Sequence, residues 1–136
     1  MMGDRQNRFS IAAISKLLLA GYVLALVTGT HIPLTEPLLK VEFDNLDKVL
    51  HFSAYAVLAF LLATVWQLSS GILTTRHLVW AWLALVTFGA MDELTQPLVN
   101  RDCSFWDLTA DALGAATGLA AFVWVRKRLL PTADDA

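Results

Sequence analysis

The chain has 136 residues, enough for one domain, and its net charge of -2 leaves no broad basic surface for nucleic acid. It is 57% hydrophobic and only 16% charged, with a mean hydropathy of +0.57. Soluble proteins carry about 25% charged residues, so the balance points to a membrane protein. A single cysteine, Cys103, excludes an internal disulfide and a cysteine-based zinc site.

Residues 1–8 are polar and include Arg5 and Arg8, as expected of a cytoplasmic tail. Residues 9–30 are almost wholly apolar. A helix of about 20 residues crosses a ~30 Å hydrocarbon core, so this stretch predicts a first transmembrane helix. Lys16 lies close enough to its start to snorkel to the interface. A cleaved signal peptide shares the basic-then-apolar layout, but no A-x-A site follows and the apolar run is long. Residues 31–45 form a polar link with Pro33, Pro37, Glu36, Glu42 and Asp44.

A second span is expected over residues 46–68, with Asp44 and Asp47 resembling an N-cap and its N3 partner. Thr74, Thr75, Arg76 and His77 read as a short turn into a third span over residues 78–96, stopped by Pro97 and Asn100. Ser104-Phe-Trp-Asp107 has the pattern of a capping box and opens a fourth span ending near residue 125. Residues 126–136 begin Arg126-Lys127-Arg128 and read as a second cytoplasmic tail. The sequence therefore predicts an all-α bundle of four transmembrane helices occupying residues 9–125.

Four spans put both termini on one side. Arg5, Arg8, Arg76, Arg126, Lys127 and Arg128 lie with the termini, against Lys40, Lys48 and Arg101 opposite. Basic residues are retained in the cytoplasm, so both termini are expected there, in a multi-pass protein of the plasma membrane. Trp66, Trp80, Trp82, Trp106 and Trp124 fall mostly near span ends, as an aromatic belt would.

The polar residues then fall at one depth. Asp47, Lys48 and His51 open the second span, and Asp92, Glu93 and Gln96 close the third. Arg101 and Ser104 sit in the connecting loop, and Asp107 and Asp111 begin the fourth span. All are expected at the outer face. Ionisable groups inside a bilayer are costly and usually face other helices or a wet cavity. Asp47, His51 and Tyr55 step by four along one helix face, as do Asp92 and Gln96. Asp107, Asp111, Gly114 and Gly118 share a stripe whose two glycines allow close helix packing.

These residues resemble the signatures of VanZ-like membrane proteins. Asp47-Lys48-Val-Leu-His51-Phe52-Ser-Ala-Tyr55 is similar to the first signature. Asp92-Glu93-Leu-Thr-Gln96, Arg101-x-x-Ser104-x-x-Asp107, Gly114 and Gly118 are similar to the second. The resemblance covers about residues 44–120. It implies a small multi-helix membrane protein related to one associated with low-level teicoplanin resistance, and it implies no particular reaction. Asp111 departs from the pattern, which often has Asn there, and makes the site more negative.

Two functional classes fit the polar cluster, beside a purely structural ion-pair network. One is an enzyme acting on a lipid head group or lipid-linked envelope precursor. His51 with Asp47 would be its general base, Asp92, Glu93 or Asp107 would hold a divalent cation, and Lys48 and Arg101 a phosphate. The other is a small binding or transport protein coupled to a cation or to protons. The inner halves of the spans contain almost no polar residues, which disfavours a through-going path.

Overall fold

Runs of Leu, Ala, Val and Phe too long for a soluble core helix become four helices in the computed structural model, which describes residues 2–32 and 44–129. They are α1 (Met2–Thr30), α2 (Asp44–Ser70), α3 (Thr75–Thr95) and α4 (Phe105–Leu129), with a 3-10 turn at Gln96–Val99. No strand occurs among the described residues. Each helix contains a window long and apolar enough to cross a membrane: Ile11–Thr30, Leu46–Ser70, Thr75–Val99 and Phe105–Leu129. The four-span, all-helical expectation is met. The polar link with Pro33, Glu36, Pro37, Lys40 and Glu42 lies outside the described residues, as does the chain beyond Leu129.

Local chemistry sets the helix ends. Gly71, at φ 86°, takes the left-handed conformation that ends α2 without a Cβ penalty. The Thr74 backbone N–H donates to His77 Nδ1 at 3.1 Å, and this cap starts α3 three residues before the predicted start at Leu78. Arg76 and His77 therefore belong to the first turn of α3 rather than to a connecting turn. Pro97 lacks an N–H and tightens the chain into the 3-10 turn, and Asn100 at φ 59° closes it.

The centre of the bundle is the α2–α4 seam. Ala59 and Ala63 of α2 and Ala115 of α4 are fully buried, with Leu58, Leu119 and Phe122 around them. A Cβ placed on Gly114 would fall on the Phe52 carbonyl, and one on Gly118 would fall on the Ala56 carbonyl. The two backbones thus meet where only glycine fits, as the small-residue stripe predicts. Such closeness compensates for the missing hydrophobic drive between helices in lipid, where association rests on van der Waals packing and hydrogen bonds.

The other two helices lean on this pair. Trp82 Nε1 of α3 donates to the Ala112 carbonyl of α4 at 2.9 Å. The Tyr22 hydroxyl of α1 donates to the Ala54 carbonyl of α2 at 2.9 Å. In α1 only 6% of the span window is buried, against 33% in α2 and in α4, so α1 packs along one edge. Leu17, Leu18 and Leu24 face outward along it. Trp80, Trp106 and Trp124 are exposed, as belt residues would be. Trp66 and Trp82 are not: each is half-buried against the core, Trp66 stacked edge-on with His77.

At the far end of α4, Arg126 Nη1 donates to the Leu73 carbonyl at 2.8 Å and ties the helix to the α2–α3 turn. The helix continues through Arg126, Lys127 and Arg128, where cations meet the negative end of the helix dipole.

Candidate functional site

At the end where α2 begins and α3 ends, buried polar side chains replace the apolar core. His51, Asp92, Glu93, Gln96, Asp107 and Asp111 are all buried, and Tyr55 lies directly beneath them. Asp111 is wholly inaccessible. The three helices place these groups by simple periodicity. His51 and Tyr55 lie one turn apart on the inner face of α2, and Asp107 and Asp111 one turn apart on the inner face of α4.

His51 is the meeting point. Its Nδ1 lies in hydrogen-bond contact with Asp111 Oδ1 at 3.0 Å and is 3.9 Å from Glu93 Oε1. Glu93 is fixed from two sides. Gln96 Nε2 donates to Oε1 at 2.9 Å, and the Ser104 backbone N–H donates to Oε2 at 2.8 Å. Ser104 in turn caps α4, its Oγ accepting the Asp107 backbone N–H at 3.3 Å.

The predicted capping box is thus half formed. In the full motif the Asp107 carboxylate would return to the Ser104 N–H. Here Glu93 of α3 takes that N–H, and Asp107 Oδ1 is buried with no hydrogen-bond partner among the described residues. Asp92 Oδ2, Asp111 Oδ2 and the Tyr55 hydroxyl share that condition. A Cβ on Gly89 would lie 3.1 Å from Asp111 Oδ2 and 3.2 Å from the Tyr55 hydroxyl. The two groups therefore converge over a glycine that leaves them space.

Although one turn from Gln96 and buried with it, Asp92 bonds a different partner. It turns toward α1, where Thr30 Oγ1 donates to its Oδ1 at 3.0 Å and His31 Nδ1 lies 3.6 Å away. His31 Nε2 also meets Thr95 Oγ1 at 3.0 Å. Gln96 instead bonds Glu93, three residues before it. Thr30 and His31 were missed by sequence reasoning. The available signal was their polarity at the same end as the other polar residues, but His31 read as the start of a link.

Asp47 and Arg101 form a looser pair at the rim, 3.6 Å apart, with the Asp47 side chain half exposed. Pairs this exposed contribute little, about 0–1 kcal/mol. Lys48 is half-buried on the same turn of α2. Beside this rim a cavity of about 280 Å³ opens between α1 and α2. Its lining combines polar Asp47, His51, Thr30 and Arg101 with apolar Leu26, Leu50, Ala25 and Ala54.

The two helical signatures and the arrangement they produce agree with the comparison to known families, in which the VanZ/LLP1 model matches residues 5–126. The chain belongs to the VanZ/LLP1 family. No curated protein and no solved structure matches it. The VanZ/LLP1 match covers α1 as well as the three helices that carry the signatures. Gly114 and Gly118 hold the α2–α4 seam together and make no part of the polar cluster itself.

Chemically, this VanZ/LLP1 cluster offers one imidazole, four buried carboxyl groups, an amide and a phenol. It can hold a cationic group, move a proton through the His51–Asp111 contact, or bind a metal ion. Among the described residues, two sets of side chains have ligand atoms close enough for an ion: His51, Glu93 and Asp111, and Asp47, His51 and Asp107.

Proposed function

We propose that this protein spans the plasma membrane with both termini in the cytoplasm, and that its polar chamber lies near the outer leaflet. There it receives the head group of a lipid or lipid-linked envelope precursor, and through that ligand it alters the cell's susceptibility to glycopeptides such as teicoplanin. The carrying observation is the cavity between α1 and α2. Its polar residues suit a head group, and its Leu26 and Leu50 suit the first carbons of an acyl or prenyl chain. Family membership supports the link to glycopeptides. The orientation is supported by Arg76, Arg126, Lys127 and Arg128, which sit at the end of the helices opposite the chamber.

The His51–Asp111 contact favours a second reading, in which the same chamber is catalytic. A histidine oriented by a buried carboxylate is a ready general base, and a head group in the cavity would lie beside it. Transport is less well supported, because the bundle centre beneath Tyr55 is built of Leu58, Ala59, Ala63, Leu85, Ala115 and Leu119.

Two measurements test the proposal. Expression in a teicoplanin-sensitive host is expected to raise the inhibitory concentration, and His51→Ala or Asp92→Asn to return it to the host value with the protein still inserted. Equal protection by both variants would remove the chamber from the function. Reporter fusions after Ala136 are expected to be active only for a cytoplasmic reporter, and periplasmic activity there would reverse the orientation.

A further inference from the structure

We infer that His51, Glu93 and Asp111 form a binding site for one divalent transition-metal ion of the zinc or manganese kind. The inference concerns the chamber assigned above, but it does not depend on the ligand proposed there. It starts from geometry. The three side chains come from three different helices, and their ligand atoms lie within 4.8 Å of one another. The 3.0 Å separation of His51 Nδ1 and Asp111 Oδ1 matches the edge between neighbouring ligands at right angles about an ion, about 3.0 Å for bonds near 2.1 Å. The 3.9 Å to Glu93 Oε1 is within the about 4.2 Å that separates two such ligands across one ion.

A second observation is independent of that spacing. Asp111 is wholly buried, yet its Oδ2 has no hydrogen-bond partner among the described residues. A buried polar atom without a partner carries a desolvation cost of about 1–3 kcal/mol, more when charged, and a cation held by both oxygens of Asp111 would offset it. The surrounding charge acts in the same direction. Asp92 and Asp107 are buried beside the triad, so even with His31 against Asp92 the buried carboxyl groups outnumber the imidazoles.

The support around the triad is also that of a metal site. Glu93 is held by Gln96 Nε2 and the Ser104 N–H, with its Oε1 3.9 Å from His51 Nδ1. Groups that orient ligands in this way tune metal affinity. The donor set decides the ion class. One imidazole nitrogen with carboxylate oxygens suits zinc or manganese, whereas magnesium prefers an all-oxygen shell that keeps several waters. Binding would displace the proton shared by His51 and Asp111, which leaves to solvent as the metal enters beside their contact.

The test uses the full chain purified in detergent without chelator. Elemental analysis is expected to find about one zinc or manganese ion per chain, or uptake of one equivalent when Zn²⁺ or Mn²⁺ is added, with Mg²⁺ ineffective. His51→Gln and Asp111→Asn are expected to lower affinity at least about tenfold, the order seen when groups that only support a metal are lost. Asp102→Asn, at an exposed carboxylate of the α3–α4 loop, is expected to retain the ion. Pulsed electron paramagnetic resonance of the Mn²⁺-loaded wild type is expected to show coupling to one imidazole nitrogen, a readout that needs no variant to fold. Failure of the wild type to bind either ion, absence of nitrogen coupling, or full binding by Asp111→Asn overturns the inference. So does loss of the ion in Asp107→Asn but not in Asp111→Asn, which would move the site to the outer set. A negative teicoplanin result leaves all of these measurements unchanged.

Discussion

Gly118→Ala is expected to destabilise the bundle strongly. The new Cβ would fall on the Ala56 carbonyl, a backbone atom that cannot rotate away as a side chain can. Overpacking in a well-filled core costs about 1–3 kcal/mol, and a rigid obstacle places this case at the upper end. The relief available is separation of α4 from α2, and that motion also withdraws Asp111 from His51. Gly118→Ala is therefore expected to lower the thermal transition of the detergent-solubilised protein and to reduce function together. Gly114→Ala should behave alike, since its Cβ would meet the Phe52 carbonyl. Thr117→Ala is the control. Thr117 is exposed, and its hydroxyl only bonds back to the Leu113 carbonyl, so a change within about 0.5 kcal/mol is expected. Unfolding measured for the three variants decides the matter, and an unaltered Gly118→Ala would mean that the seam is not closely packed.

Glu93→Ala is the second large effect. Glu93 holds the end of α3 to the beginning of α4 through the Ser104 N–H, and it also occupies Gln96. Truncation leaves the buried Gln96 amide and the half-buried Ser104 N–H without their acceptor, at about 1–3 kcal/mol for the buried one and less for the other. A cavity term of the size of the lost methylenes adds to this. Glu93→Gln is expected to recover only part of the loss. The new amide can still accept the Ser104 N–H, and Gln96 can turn its own oxygen toward the new NH2, but neutral amide bonds are weaker than those to a carboxylate. Comparison of unfolding free energies for the two variants tests this order. A Glu93→Gln protein as stable as wild type would show that the carboxylate adds nothing over a neutral amide at these two hydrogen bonds.

These effects also show where sequence reading stops. The spans were legible because each apolar run is long enough to leave no alternative. The depth of the polar residues was legible because helix rise converts sequence position into height. The direction each side chain takes around its helix was only half legible. Asp92 and Glu93 are neighbours, about 100° apart on a helix, and both are buried because α3 ends between α1 on one side and α2 with α4 on the other. Spacing can state that angle but cannot name the neighbour on each side. The same limit hid Thr30 and His31, whose role depends on where α1 leans. It also hid the divided capping box, since no local pattern announces that Glu93, eleven residues earlier, will take the Ser104 N–H. Gly89 passed unremarked, because its value lies in the room it leaves Tyr55 and Asp111.

The edge-on placement of α1 bears on how the chain is assembled. Helices enter the bilayer in the order of synthesis, so α1 arrives first. Its Tyr22 finds the Ala54 carbonyl as soon as α2 follows, but Thr30 bonds a residue 62 positions later, on α3. The earliest helix to be made is thus completed only after the third has emerged, and until then its polar end has to be satisfied by water or lipid phosphate at the surface.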